Sequence, residues 1–172
     1  MKDNLPLEIE RKYLIKTPDV SVLEQQPVYT KIEMEQAYLK SDGENSGMRV
    51  RKSIVNGEKV TYKKTFKRNI TSVTRVEIED DISEEAYNEY LKDIDDGSTV
   101  IKKVRHCFMY QGQFFELDIY PFWNDRATLE LEISSEEQKI TLPPFISLIK
   151  EVTEDKRYTN RSLSYTVFTE EL

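Results

Sequence analysis

The chain has 172 residues, of which 33% are charged and 38% are hydrophobic, with one cysteine and one histidine. This length predicts a single domain, and no apolar run approaches the roughly 18–20 residues of a membrane-spanning helix. Cys107 alone excludes an internal disulfide and a cysteine-rich zinc site, and His106 alone excludes a histidine cluster. The first residues lack the apolar core of a signal peptide, so we expect a cytoplasmic protein.

The charge balance excludes two further classes. A net charge of −7, from 32 acidic and 25 basic residues, argues against a general nucleic-acid binder. A charged fraction above the roughly 25% of an average domain raises the question of disorder. Aromatic residues make up 10% of the chain, however, and its apolar residues are periodic, which indicates a folded protein. The question that remains is where a folded chain places so many charges.

Strand patterns dominate the sequence. Eight segments are predicted as strands, in chain order 7–15, 36–40, 48–54, 58–65, 73–79, 100–110, 113–120 and 127–133. Two of the connections, Asn56-Gly57 and Gln111-Gly112, predict tight hairpins because such residues adopt positive φ at low cost.

Helical patterns are shorter. Ser83 precedes two glutamates and an apolar stripe, which predicts a capped helix as far as about Ile94. A short amphipathic helix is predicted from Pro143-Pro144 to Ile149, and one or two helical turns within 159–168. Without an obvious linker, we expect one domain over residues 1–172.

Each clear strand has one apolar face and one face of paired like charges. The acids are Glu8/Glu10, Glu77/Glu79, Glu116/Asp118 and Glu130/Glu132, and the bases are Lys12, Arg49/Arg51, Lys63, Arg75 and Lys103/Arg105. One interpretation is a sheet with a solvated face, in which cross-strand ion pairs contribute about 0.2–1 kcal/mol each. Like charges two residues apart repel, however, and eight strands are enough to close a barrel with the charges inside. The pattern alone leaves both interpretations open.

A charged lumen would have a definite chemistry. Clustered carboxylates suit a hard divalent cation, and clustered arginine and lysine residues suit a polyanion. Together they form the two halves of a metal–polyphosphate site.

The residues also resemble a known family. Glu8-Ile-Glu10-Arg-Lys12 is similar to the ExExK signature of the CYTH superfamily, the triphosphate tunnel metalloenzymes. The similarity continues in family order from about residue 7 to 163, through Gln36–Leu39, Arg49–Arg51, Thr61–Lys63, Arg75–Glu79, Lys103–Arg105, Glu116–Asp118, Glu130–Glu132 and a closing segment over 151–160.

The resemblance implies an α+β fold, in which an eight-stranded antiparallel closed β-barrel, or tunnel, has a charged lumen and helices packed on the outside. It also implies that the protein uses Mg²⁺ or Mn²⁺. The implied metal ligands are Glu8, Glu10, Glu130, Glu132, Asp118 and Glu77. The implied catalytic residues are Asp118, Glu116 and Lys12. The implied substrate-binding residues are Lys12, Arg49, Arg51, Lys63, Arg75, Lys103, Arg105 and Arg157.

The activity implied is metal-dependent hydrolysis of triphosphate compounds, with inorganic tripolyphosphate as the first choice. A thiamine triphosphatase, a class IV-type adenylyl cyclase and a non-catalytic module that binds polyphosphate or organophosphates remain alternatives. The expected partner is a small-molecule triphosphate rather than a nucleic acid or a membrane, with a homodimer as one possible assembly. His106 is expected to face outward and Cys107 to be a buried filler, whereas Gln36 and Tyr38 fit either the lumen or ordinary packing.

Overall fold

The computed structural model describes residues 7–40 and 47–172. Its strands are β1 (Leu7–Lys16), β2 (Thr30–Tyr38), β3 (Met48–Val55), β4 (Lys59–Asn69), β5 (Thr74–Asp81), β6 (Ile101–Tyr110), β7 (Gln113–Ile119), β8 (Arg126–Glu132) and β9 (Leu148–Glu151). Its α-helices are α1 (Val20–Glu24), α2 (Glu84–Tyr90) and α3 (Asn160–Tyr165), with 3₁₀ turns at Leu91–Asp93 and Lys156–Tyr158. Within these ranges, no helix is long and apolar enough to cross a membrane. The prediction about a signal peptide concerns residues 1–6, which lie outside them.

The first eight strands close into an antiparallel barrel, which confirms the predicted fold. The strand order is β5-β4-β3-β2-β6-β7-β8-β1, and β1 returns to β5 through the pairs Leu7↔Val76, Glu8↔Arg75 and Ile9↔Thr74. Three strands separate β1 from β2 in either direction, namely β5, β4 and β3 or β8, β7 and β6. β1 and β2 therefore lie on opposite walls of the barrel.

Both predicted hairpins are present. Asn56 and Gly57 have φ values of 50° and 73°, and Gln111 and Gly112 have 48° and 72°. These positive values are those of a tight turn whose twist matches that of its flanking strands. The turns set the registers of the β3–β4 and β6–β7 pairs and thereby the heights of the side chains on them.

The apolar faces of the strands point outward and are covered. Tyr13, Leu117 and Leu129 belong to a buried cluster on the outer face of the barrel, closed over by Leu23 of α1 and by Ile146. A second outer cluster joins Ala37 and Val50 to Tyr87 of α2. Because strand side chains alternate, the charged residues between these apolar ones face the lumen.

Helix α3 helps to close one end of the barrel. Leu14 and Tyr120 follow Lys12 and Asp118 by two residues, so their side chains face inward. They pack with Ile101, Val152, Tyr158 and Leu163 in a buried apolar cluster. The chain after β9 therefore completes the barrel rather than only covering its outside.

Three segments differ from the predictions. The helix predicted between Pro143 and Ile149 is wrong, because turns there lead into β9, which pairs with β1. β1 pairs with β5 only as far as Ile9, so the rest of that edge needs hydrogen-bond partners, and β9 supplies them. The predicted second strand is also too short, since β2 begins at Thr30, and α1 was not predicted.

Candidate active site

A cavity of ≈ 810 Å³ occupies the interior of the barrel. Eleven residues that the sequence predicts as site residues line it: Glu8, Glu10, Lys12, Arg49, Arg51, Arg75, Glu77, Arg105, Glu116, Glu130 and Glu132. They come from β1, β3, β5, β6, β7 and β8, so the closed barrel brings together residues that are far apart in the chain.

Strand register sets the order of the charges on one wall. Glu10 lies directly opposite Glu132 in the β1–β8 pair, and Lys12 lies opposite Glu130. Glu130 in turn lies opposite Glu116 in the β7–β8 pair. Carboxylates from three adjacent strands therefore form one continuous surface, with the Nζ of Lys12 3.1 Å from Glu130 Oε1.

The part of this wall next to β5 is rich in acids that share two bases. Lys67 Nζ lies 3.1 Å from Glu8 Oε2 and 3.3 Å from Glu77 Oε2. Arg75 donates to Glu10, and its Nε lies 3.6 Å from Glu8. Burial, together with a hydrogen bond shared with Glu77, raises the pKa of Glu8 above its ordinary value of 4.5. Three carboxylates near only two cations therefore favour a proton on Glu8, which a bound divalent cation would replace.

A second group of charges is fully paired beneath the cavity surface. Asp118 accepts from Lys103 Nζ at 2.7 Å, and from Arg105 Nε at 2.7 Å and Nη2 at 2.9 Å. The side chains of Asp118 and Lys103 have no exposed surface, and neither lines the cavity. Burial alone would raise the pKa of Asp118, but the Arg105 and Lys103 cations hold it well below its usual range. We call these three residues the paired cluster.

The paired cluster positions one residue that does face the cavity. Arg105 has its Nε and Nη2 on Asp118, whereas its Nη1 donates to Glu116. Arg105 Nη2 also lies 3.7 Å from Glu130 Oε2. Asp118 is therefore placed to hold the Arg105 guanidinium, and its predicted catalytic and metal-binding roles remain predictions.

The opposite wall carries two arginines without acidic partners. Arg49 and Arg51 on β3 line the cavity, and neither forms an ion pair with a described carboxylate, although Arg49 Nη2 donates to Thr65 Oγ1 at 3.4 Å. Their Nε atoms are buried and have no hydrogen-bond partner among residues 7–40 and 47–172. Burial and then the charges of Arg49 and Arg105 lower the pKa of Arg51 to about 9. We call Arg49 and Arg51 the unpaired pair.

Neutral groups on β2 surround the unpaired pair. Gln36 lies opposite Arg51, and Tyr38 lies opposite Arg49. Gln36 Nε2 donates to the hydroxyl of Tyr38 at 2.9 Å, and Gln36 is fully buried. The acid that lines the cavity nearest in the strand order, Glu79 on β5, is bonded to Lys63 and Thr65 rather than to Arg49 or Arg51.

Besides Lys103, two predicted substrate-binding residues lie away from the cavity. Lys63 pairs with Glu79 at 2.9 Å and Asp81 at 3.8 Å and does not line the cavity. Arg157 pairs with Asp155 at 2.6 Å and stacks on Phe168, 4.1 Å from the ring centroid. In this structure both are engaged elsewhere.

The cavity also holds residues that the sequence pattern left open or did not identify, among them Tyr38, Lys67 and Arg161. Lys67 lies on the same face of β4 as Lys63, so the alternation of side chains along the strand could have identified it. It pairs opposite Glu77 and lines the cavity. Tyr38, whose position in the sequence fits packing and the lumen equally well, lines the cavity. Arg161, from α3, carries no motif or parity signal and is visible only in the fold.

The donor chemistry of the cavity fits a hard divalent cation. Glu8, Glu10, Glu130 and Glu132 offer carboxylate oxygens, whereas His106 faces outward toward Tyr29. Across the part of the chain that the structure describes, no three acidic, histidine or cysteine side chains converge as a ready-made metal site. Mg²⁺ commonly binds one or two carboxylates, several waters and the substrate phosphates, so this arrangement suits a cation that arrives with its ligand.

The comparisons with known proteins agree with this geometry. The model of the CYTH domain matches residues 6–156. A structure described as the inorganic triphosphatase NE1496 is 27% identical, with 92% of this chain and 95% of that chain covered and a TM-score of 0.56. No curated protein sequence matches the chain.

Two further structures are similar in fold. Another structure of NE1496, described as a hypothetical protein, is also 27% identical, with 92% and 98% of the two chains covered and a TM-score of 0.57. PH1819 from Pyrococcus horikoshii OT3 is 19% identical, with 75% and 80% covered and a TM-score of 0.55, which supports the fold alone.

Proposed function

The chain belongs to the CYTH domain family, and we propose that it is a divalent-metal-dependent triphosphatase whose preferred substrate is inorganic tripolyphosphate. Family membership and the similarity to a protein described as an inorganic triphosphatase support triphosphate hydrolysis as the reaction class. The choice of tripolyphosphate and the dependence on metal rest on the cavity itself.

The observation that carries the proposal is the contrast between the two walls of the cavity. Arg49 and Arg51 have buried Nε atoms on one wall without a described acidic partner, and acids including Glu10 and Glu132 line the opposite wall. A buried arginine without a partner is costly, and phosphate oxygens match its planar fork of donors. A polyphosphate between the walls would compensate the arginines directly and the carboxylates through a divalent cation.

The chain's own residues then have separate tasks. Arg49, Arg51, Lys12 and Arg105 would bind and orient the phosphate groups, which is most of what an enzyme contributes to phosphoryl transfer. Glu8, Glu10 and Glu132 would hold Mg²⁺ or Mn²⁺. The metal, when bound, would neutralise developing charge and favour deprotonation of water. Glu116 lines the cavity and is oriented by Arg105, so it is the acid best placed to accept a proton from the attacking water.

The proposal is tested with one substrate panel. Phosphate and pyrophosphate release and cyclic nucleotide formation are measured with tripolyphosphate, thiamine triphosphate and ATP, each with Mg²⁺, with Mn²⁺ and with a chelator. We expect phosphate release from tripolyphosphate to be fastest and to stop when the metal is chelated. Faster turnover of thiamine triphosphate or formation of a cyclic nucleotide would support those alternatives, and tight binding without turnover would indicate a binding module.

Matched variants connect the activity to the cavity. Arg51→Ala and Glu10→Gln remove one group from each wall, and we expect each to lower kcat/KM by about 100-fold or more. Arg68→Ala and Glu58→Gln remove the same charges from exposed positions outside the cavity. Equal activity of the cavity variants and these controls would show that hydrolysis does not depend on the cavity.

A further inference from the structure

The wall of the cavity includes the chain that follows β9. Thr153, Lys156, Thr159 and Arg161 all line the cavity together with the barrel strands. This part of the chain reaches the cavity beside β1, where Val152 N donates to Lys12 O and Lys12 N donates to Thr153 Oγ1. Residues 157–172 lie beyond the range that the family model matches, so the family match assigns no role to Arg161.

Arg161 has one tethered side and one free side. Its Nη2 lies 3.8 Å from Asp95 Oδ2, and its guanidinium carbon lies 5.5 Å from the centroid of the Tyr38 ring. Its Nη1 is buried and has no hydrogen-bond partner among the described residues. Tyr38 lies opposite Arg49 in the β2–β3 pair, so Arg161 stands next to the unpaired pair.

The Nη1 atom of Arg161 needs a hydrogen-bond acceptor. Buried polar groups are nearly always hydrogen-bonded, and leaving a charged donor unsatisfied is more costly than leaving a neutral one. Two neighbours on this wall, Arg49 and Arg51, are hydrogen-bond donors themselves. The third, Tyr38, has its aromatic ring next to the Arg161 guanidinium. An anion shared among the three arginines would satisfy all of them together.

We propose that Arg161 is a substrate-binding residue that donates to the phosphoryl group bound by the unpaired pair, on the wall opposite Glu8 and Glu10. This assignment rests on the proposed function and extends it, because it makes the chain after β9 part of the polyphosphate site. Arg161 would bind the end of the polyphosphate that lies farther from Glu8 and Glu10. The Tyr38 ring, whose centroid lies 5.5 Å from the guanidinium carbon, would keep the guanidinium in place before the substrate arrives.

The test measures the dissociation constant of tripolyphosphate by isothermal titration calorimetry with the full chain in the presence of a chelator, which removes turnover. We expect Arg161→Ala to bind at least about tenfold more weakly than the wild type. Arg161→Lys, which keeps the charge but loses the planar fork, should fall between the two. Arg68→Ala, the exposed control, should bind within about twofold of the wild type.

A further variant separates ligand binding from a structural role. Asp95→Asn removes the acidic partner of Arg161 and weakens the contact from the Tyr165 hydroxyl, but it leaves the arginine in place. If Arg161 contacts the substrate, Asp95→Asn should bind tripolyphosphate within about threefold of the wild type. If Asp95→Asn loses as much affinity as Arg161→Ala, Arg161 serves to hold the segment, and the proposal is wrong.

The outcomes also separate this proposal from the one on which it rests. A wild type that does not bind tripolyphosphate at millimolar concentration, either with the chelator or with Mg²⁺, would overturn the proposed function and this assignment with it. A wild type that binds, together with an Arg161→Ala variant as tight as Arg68→Ala, would overturn the role of Arg161 alone.

Discussion

The paired cluster and the unpaired pair occupy the same barrel and differ in how their charge is compensated. In the paired cluster, Asp118 accepts from both Lys103 and Arg105, and all three side chains are nearly or wholly enclosed. In the unpaired pair, Arg49 and Arg51 keep buried Nε atoms without a described acceptor. Compensated buried charge builds a fixed wall, whereas uncompensated buried charge marks the place where a ligand must supply the opposite sign.

The largest expected change in the free energy of unfolding comes from removing the carboxylate of the paired cluster. Asp118→Asn leaves the enclosed Lys103 without a carboxylate and Arg105 without its two shortest-range bonds to Asp118, and we expect the free energy of unfolding to fall by about 3–5 kcal/mol. Chemical denaturation monitored by circular dichroism measures this change. Asp80→Asn, at an exposed position on β5, is the control and should change it by about 0.5 kcal/mol or less. Similar losses in the two variants would mean that the cluster contributes no special stability.

Ligand binding should stabilise the protein through the unpaired pair. At a tripolyphosphate concentration of about 100 times the dissociation constant, with Mg²⁺ present, stability should rise by about 2.7 kcal/mol. For a chain of this size that corresponds to an increase in Tm of roughly 5–11 °C. Differential scanning fluorimetry measures the shift, with sulfate at equal ionic strength as the control. An equal shift with sulfate would indicate a general salt effect.

Removing the charge of one arginine of the unpaired pair should stabilise the protein, whereas removing the carboxylate of the paired cluster should destabilise it. Arg51→Met eliminates a buried cation that burial and its arginine neighbours disfavour. We expect the unliganded protein to gain about 1–3 kcal/mol of stability while it loses hydrolytic activity. Denaturation in the absence of phosphate measures the gain, with Arg68→Met for comparison. Destabilisation by Arg51→Met would show that this arginine has a structural partner after all.

The smallest expected effect lies outside the lumen, at His106. This side chain faces outward, is 3% exposed and bonds to the hydroxyl of Tyr29 at 2.8 Å. Burial and then the charge of Lys31 lower its pKa below the ordinary 6.5, so the unfolded chain takes up the proton first as the pH falls. Stability should therefore be lost below about pH 6.5, by up to about 1.4 kcal/mol at about pH 5.5.

His106→Gln isolates this contribution. The difference in unfolding free energy between the wild type and the variant, followed from about pH 7.5 to about pH 5.5, should shrink as the pH falls, because glutamine does not titrate. Asp118 keeps its charge throughout this range, since its pKa lies far below it. A difference that does not change with pH would mean that His106 titrates alike in the folded and unfolded chains.

The sequence carried most of the information about the barrel. Strand alternation separated the inner from the outer face, and the positive-φ turns at Asn56-Gly57 and Gln111-Gly112 fixed two hairpins. Alternation is reliable here because each strand pairs on both sides and buries one face against apolar cover. The prediction of a helix at Pro143 was wrong. The backbone groups along the open edge of β1 form hydrogen bonds with β9, and this pairing outweighs the local amphipathic pattern.

Which charges reach the cavity was decided by the tertiary structure. Parity places Lys63 and Lys67 on the same face of β4, but only register puts Lys67 beside Glu77 in the lumen and Lys63 beside Asp81 outside it. Parity likewise gives Glu116 and Asp118 the same face, yet packing leaves only Glu116 at the cavity surface. Local sequence thus determined the face on which each charge lies. Register, barrel closure and the return of the chain at α3 determined its depth, its partner and whether it meets a ligand, because these depend on contacts between residues far apart in the chain.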